Sequence, residues 1–299
     1  MIDFLKYRPY AFVLSLVIIG SFFVGAFYKR VTTGQVFTYS VDFTGGTQIL
    51  ISMQKPLSGE AAARDLAASG IENVITRDFS ANEFLIRLKA FESDSNGLAM
   101  RVKGIIEKAH PGNEVTIKQV DSVGSGVGAA LTRDSIYAVL MALLIMLLFI
   151  WFRFRLFSFA VGNIISLAHD VIVILSFVMF FNYEVSVLVI AAIIFILGYS
   201  INDTIVIFAR IRENIKKLQG KSIEDIVNIS LNETLRRTIL SSFATSLVVG
   251  SLVIFGGEVL RTLAVSLLVG MIFGTYSSIY IASPAMLLFY KRDGESVKS

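Results

Sequence analysis

The chain has 299 residues, 55% of them hydrophobic and only 17% charged, with a mean hydropathy of +0.70. A soluble core cannot absorb that apolar excess, so much of it must face lipid. The net charge of +4 is small, zero cysteines exclude disulfides, thiolate zinc sites and iron–sulfur clusters, and the two histidines, His110 and His169, cannot build a metal cluster. No metal, cofactor or nucleic-acid partner is expected.

An apolar run of about 20 residues crosses a bilayer as a helix. The chain has six: Tyr10–Phe27, Ile136–Phe152, Phe157–Phe181, Val185–Phe208, Ile239–Phe255 and Leu260–Tyr290. The first follows Lys6 and Arg8, as a signal peptide would. Its apolar stretch is longer than a typical signal core, and bulky Phe27-Tyr28-Lys29-Arg30 follows, so it is expected to remain as a membrane helix.

Between the first two spans lies a polar segment, Arg30–Arg133, with 11 Lys+Arg and 11 Asp+Glu. Gln48–Met53 has the pattern of a strand, and Ser58–Ala68 that of a helix capped by Ser58. Ile71–Phe79 and Glu83–Leu88 alternate like a hairpin around Ser80-Ala81-Asn82. Ser95–His110 is amphipathic and stops at Pro111-Gly112, and Val115–Val120 alternates again. The order βαββαβ is that of a ferredoxin-like domain.

Beyond this domain, Asp121-Ser-Val-Gly124-Ser-Gly126-Val-Gly128 has a superficial likeness to a dinucleotide-binding turn. The helix that follows is a membrane span, and no acid stands about 20 residues on, so the run is expected to be a flexible joint. No phosphate-binding loop for ATP is present. Spans two to six then form a bundle over 134–290, with outer links at Asn182-Tyr183-Glu184 and Gly256-Gly257-Glu258. An inner loop covers 210–237, in which Ser222–Leu235 is expected as an amphipathic helix on the membrane surface. The N-terminus and first helix occupy 1–29, the polar domain 30–133, and a tail 291–299. With the N-terminus inside, the inner segments hold fourteen Lys and Arg, from Lys6 and Arg8 to Lys298, and the short outer links only Arg261. That asymmetry places the polar domain outside.

Small residues recur every fourth position in Gly162-Ser166-Asp170, Ser242-Ser246-Gly250 and Ser266-Gly270-Gly274-Ser278-Ala282. Such seams let helices approach closely. Two acids sit inside apolar spans, Asp170 and Asp203. A carboxylate at mid-bilayer costs about 2.5–3.5 kcal/mol, so each needs a reason. Asn163, Ser166 and Asp170 share one helical face, and Tyr199, Asp203 and Arg210 another. Arg236 and Arg237 stand at a depth similar to that of Asp203. A static salt bridge and a titratable relay both fit these residues. His169 is expected as a neutral, hydrogen-bonded side chain.

Several longer motifs carry a resemblance. Val41-Asp-Phe-Thr-Gly-Gly-Thr47, Ala168-His-Asp170, Gly198-Tyr-Ser-Ile-Asn-Asp-Thr-Ile-Val206, Arg210-Ile-Arg-Glu-Asn214, Leu235-Arg-Arg-Thr238 and Gly274-Thr-Tyr-Ser-Ser-Ile-Tyr280 together resemble the SecF family of protein translocase subunits, in the resistance-nodulation-division superfamily. The resemblance runs from Met1 to about Tyr290. It implies a polytopic α-helical protein of the bacterial inner membrane, with six transmembrane helices, both termini cytoplasmic and one exported α+β ferredoxin-like domain between helices 1 and 2. It implies a non-enzymatic role in preprotein export driven by the proton-motive force. It implies SecD as partner, together with the channel proteins SecY, SecE and SecG, YajC or the YidC insertase, unfolded preprotein and membrane lipids. By motif, the relay acid maps to Asp203 and the membrane arginine to Arg237, with Asn202 and Asp170 beside them; Asp42, Gly45 and Gly46 belong to the exported domain's opening motif. Ala209 departs from the pattern, where the family often has an acid. A lipid or small-molecule exporter half of the same superfamily and a passive scaffold of the Sec channel are the alternatives. The exporter would need exported domains larger than this segment of about 100 residues.

Overall fold

The structure, a computed structural model, describes residues 1–89 and 91–296. Its elements are α1 (Arg8–Thr33), β1 (Thr38–Tyr39), α2 (Val41–Thr44), β2 (Gly46–Met53), α3 (Gly59–Ala68), β3 (Val74–Ser80), β4 (Glu83–Leu88), α4 (Ser95–Ala109) and β5 (Val115–Val123). They are followed by α5 (Ser125–Phe154), α6 (Phe157–Phe180), β6 (Glu184–Val185), α7 (Val187–Lys217), α8 (Ile223–Phe255), α9 (Gly257–Ser277), a π-helical turn (Ser278–Ala282) and α10 (Ser283–Ser296). Of the expected tail over 291–299, residues 291–296 continue α10, and Lys298 lies outside the described residues.

Six helical segments among the described residues are long and apolar enough to span a membrane: Leu5–Thr33, Ser125–Phe154, Phe157–Phe180, Val187–Lys217, Ile223–Phe255 and Gly257–Tyr290. They outrun their apolar cores because polar ends extend the helices. The inner loop expected over 210–237 is a helical hairpin: α7 continues to Lys217, and α8 begins at Ile223 after its N-cap Ser222, whose Oγ accepts from the Asp225 amide at 3.1 Å. No separate surface helix forms. Ile226, Val227 and Leu231 are buried, and Asn214 of α7 donates to Ser230 Oγ at 3.0 Å, so tertiary packing holds this stretch in line with the span.

Two compact units emerge, Tyr39–Ser135 on its own and Met1–Thr38 together with Ile136–Ser299. In the smaller unit, four antiparallel strands lie in the order β3-β4-β2-β5, which with α3 and α4 is the ferredoxin-like topology. Alternation sets the core: Ile49, Ile51 and Met53 of β2 and Phe84, Ile86 and Leu88 of β4 pack on Ala62, Leu66, Ala99, Val102 and Ile106 from the two helices. The strand expected from Ile71 starts at Val74 instead, because Asn73 takes a left-handed φ of 58° that turns the chain. The glycine run after β5 is helical from Ser125 and not a flexible joint. A Cβ at Gly128 would stand 2.9 Å from the Phe43 carbonyl oxygen, and one at Gly45 2.9 Å from Ser125 Cα, so these glycines let α2 and the start of α5 pack backbone to backbone.

In the larger unit α6 and α7 are the best-buried helices and form its centre. Hydrogen bonds order the ends. Lys29 Nζ of α1 donates to the Met179 carbonyl at 2.7 Å and to Asn182 Oδ1 at 2.5 Å, which also complements the negative C-terminal end of α6. At the other end of α1, the Ile2 and Phe4 amides donate to Asn232 and Asn228 of α8 at 2.7 and 2.8 Å. The N-terminus and the α7–α8 hairpin therefore lie at one end of the bundle, and Lys29 with the Asn182 link at the other.

Candidate functional site within the helix bundle

Burial without lipid-compatible chemistry marks the site. Asp170 is 0% exposed and Asp203 4% exposed, in the two central helices. An ionisable group inside an apolar bundle is costly unless partnered, so the partners define its state.

Asp170 is well supplied. Ser200 Oγ of α7 donates to its Oδ2 at 2.7 Å, and the imidazole Nδ1 of His169 lies 3.4 Å from its Oδ1. Behind it, Ser166 Oγ donates to Ser277 Oγ at 3.0 Å, and Ser277 donates to the Gly274 carbonyl at 3.0 Å. The chain continues along α7: Thr204 Oγ1 and Ser278 Oγ are 3.0 Å apart, and Ser278 donates to the Ser200 carbonyl at 3.3 Å. A buried hydroxyl network thus joins α6, α7 and the α9 end. Glycines make the approach feasible. A Cβ at Gly274 would lie 3.3 Å from Ser200 Cβ, one at Gly270 2.5 Å from Ile196 Cγ1, and one at Gly162 2.6 Å from the Ala282 carbonyl oxygen.

Asp203 is supplied differently. Its Oδ2 is buried with no hydrogen-bond partner among the described residues, and the groups that act on it are the Ser242 hydroxyl and the Arg237 charge, both from α8. Ser242 is shared, its hydroxyl 2.7 Å from Thr275 Oγ1 of α9. Arg237 is exposed and lines an open groove of about 630 Å³ with Glu233, Arg236, Leu240 and Ser241. The predicted face Tyr199–Asp203–Arg210 does not close: Arg210 turns to Glu233 at 2.6 Å and Glu213 at 2.7 Å. Asn214 also donates to the same Glu233 oxygen at 2.7 Å, so Arg210 and Asn214 share that acceptor.

The remaining sequence candidates separate. Asn202 and Gly198 are exposed on α7. Ser246 and Gly250 are half-buried on α8, and a Cβ at Gly250 would meet nothing within 4 Å. Asn163 is fully buried with neither side-chain polar atom bonded among the described residues. In the smaller unit Ser40 Oγ donates to Asp42 Oδ2 at 2.9 Å, and Gly45 and Gly46 adopt φ of 72° and 111°, so the opening motif is a tight turn leading into β2. Sequence reasoning missed Ser200 as the donor to Asp170. Its signal was there, since Ser200 sits three residues before Asp203 and so shares its side of α7.

Comparison with known proteins identifies the family. Residues 102–292 match the family described as protein export membrane protein SecD/SecF, C-terminal, and residues 31–57 the SecD/SecF GG motif. The protein translocase subunit SecF of Desulfurispirillum indicum is 38% identical over 97% of this chain and 92% of its own length. That of Escherichia coli O157:H7 is 35% identical over 97% and 89%. The crystal structure of SecDF, a translocon-associated membrane protein from Thermus thermophilus, superposes with a TM-score of 0.84 at 32% identity over 97% of this chain. A second SecDF structure, in a super-membrane-facing form, gives 0.67 at 33% identity over the whole chain. The chain covers 39% and 40% of those two SecDF chains. With six spans, a ferredoxin-like domain after the first and near-full-length identity to these relatives, the chain belongs to the SecF family of protein translocase subunits.

Proposed function

We propose that the chain is a proton-driven accessory subunit of the Sec machinery of the bacterial inner membrane. It works beside SecD at the channel formed by SecY, SecE and SecG, with YajC or YidC as neighbours. It promotes export of unfolded preprotein and catalyses no covalent reaction. Its termini and the α7–α8 hairpin lie in the cytoplasm and its ferredoxin-like domain on the far side, as the cation asymmetry favours.

The carrying observation is Asp203: a buried carboxylate inside an apolar bundle whose Oδ2 has no hydrogen-bond partner among the described residues and which forms no ion pair among them, with the Arg237 charge of α8 acting on it. A static brace would place the two charges in contact, because breaking such contact leaves an uncompensated buried charge. An acid held short of contact can gain and lose a proton as the arginine approaches and recedes. One proton moved through 100 mV yields about 2.3 kcal/mol, a factor of about 50 in a two-state equilibrium. That is enough to bias a conformational cycle. SecD is needed because Phe195, Gly198 and Asn202 leave one face of α7 uncovered, with a polar amide at membrane depth.

The test is preprotein export into inverted membrane vesicles carrying this chain with SecD. Asp203→Asn mimics the protonated state. It should leave the complex intact and the domain folded, yet remove the stimulation of export by a proton gradient. Full stimulation in Asp203→Asn would refute the relay.

A further inference from the structure

The C-terminal ends of α5 and α7 form an open pocket of about 260 Å³ lined by Arg153, Phe154, Ala209, Arg212, Glu213 and Lys216. Three of these six are cations. The single acid is turned to other partners: Glu213 accepts from Arg210 at 2.7 Å and from Lys217 at 2.5 Å. Among the described residues no carboxylate forms an ion pair with Arg153, Arg212 or Lys216. Ala209 adds no charge. The wall is fixed. Phe154 is 1% exposed, stacks on Phe159 at 5.2 Å and carries Arg153 over its ring at 5.4 Å, while Arg212 donates to the Arg153 carbonyl at 3.4 Å.

Three cations whose only neighbouring acid in the lining is already paired elsewhere call for an anion with several acceptor oxygens. The planar guanidinium matches phosphate oxygens in pairs, and a lysine adds a point charge. The surroundings supply the rest of the ligand. Trp151, Phe152 and Phe157, which flank Arg153 and Phe154 in the chain, are 50%, 69% and 60% exposed, and aromatic side chains at the end of a span mark the headgroup level of a bilayer. Leu148 and Phe149 of α5 continue as exposed apolar surface from that level into the span. A free phosphate ion would use only the cations. A phospholipid uses the cations and the apolar strip together. We propose that this pocket holds the phosphate of an anionic phospholipid headgroup, with an acyl chain along α5. The site stands on this geometry alone and does not depend on the relay.

Trp151 is the only tryptophan in the chain, so its fluorescence reports this corner selectively. The full chain is placed in phosphatidylcholine nanodiscs with a minor fraction of lipid brominated on its acyl chains, either phosphatidylglycerol or phosphatidylcholine. Brominated phosphatidylglycerol should quench Trp151 well beyond the same fraction of brominated phosphatidylcholine. Arg212→Gln should cut that preference about five-fold, the equivalent of about 1 kcal/mol per cation near the membrane surface. Ala209→Asp keeps every cation but places a carboxylate in the pocket, and should lower the preference similarly. Arg212→Lys should retain part of it. Equal quenching by the two lipids, or an undiminished preference in both Arg212→Gln and Ala209→Asp, would overturn the site. Equal quenching by the two lipids together with saturable binding of inorganic phosphate that Arg212→Gln weakens would assign the pocket to a soluble anion and overturn the lipid.

Discussion

The Ser200 hydroxyl of α7 donates to the Asp170 carboxylate of α6 at 2.7 Å, with both residues 0% exposed. This bond links the two central helices of the bundle at the depth where polar groups are least tolerated. A side-chain hydrogen bond of this kind contributes about 0.5–1.5 kcal/mol, and losing the donor leaves a buried acceptor short of a partner. Ser200→Ala should therefore lower the melting temperature of the purified chain, and a melting curve that overlays the wild type would show that the bond stabilises nothing.

Two glycines of the small-residue seams should answer differently to the same substitution. Gly162→Ala drives a methyl against the Ala282 carbonyl and Met286, so about 1–3 kcal/mol of stability should be lost. Gly250→Ala meets open space and improves helix propensity, so the isolated chain should gain up to about 1 kcal/mol. If Gly250→Ala also weakens copurification with SecD, that part of α8 faces the partner. Equal loss of stability in both variants would remove the distinction.

The proposed sidedness can be checked in a chain without native cysteine. Asn96 lies in the first turn of α4 of the ferredoxin-like domain and Lys221 in the turn between α7 and α8, and both are exposed. In intact cells with a permeable outer envelope, an impermeant maleimide should label Asn96→Cys and spare Lys221→Cys. The reverse labelling would invert the topology.

Arg237 offers a test that separates a brace from a relay. Arg237→Met and Asp203→Asn should each abolish gradient-stimulated export. The double variant removes both charges and should remain inactive, since nothing is left to titrate. Recovery of export in the double variant would mean the pair only offsets charge. Arg237→Lys should keep part of the activity, because it retains the charge without the guanidinium fork.

The six spans and the βαββαβ order were legible because both rest on periodicity, apolar length in one case and alternation in the other. Glu83–Leu88 falls where its alternation put it. The helical hairpin at 218–222 was not legible: Ile226, Val227 and Leu231 have the pattern of a surface helix, and only packing against α7 makes them interior. The glycine run at 124–128 misled in the opposite sense. Glycine permits mobility, but here it permits contact, since Gly128 touches the Phe43 backbone. The buried acids could be found by their cost, whereas their partners could not. Arg210 shares a helical face with Asp203 yet binds Glu233, twenty-three residues on in a different helix. Sequence spacing orders groups along one helix and says nothing about which groups a second helix brings.

The π-helical turn Ser278–Ala282 sets the phase of everything after it. Each residue rotates an α-helix by about 100°, and the wide turn accommodates one more residue than an α-turn would. Ser283 Oγ closes it by donating to the Ser278 carbonyl at 3.2 Å. Removing a single residue here would swing Met286 away from Gly162 and present a different side of α10 to α6. A one-residue change of length between α7 and α8, at 218–222, would alter only a turn. The chain's tolerance of insertions and deletions is thus set by angular register, and α10 is where it should be smallest.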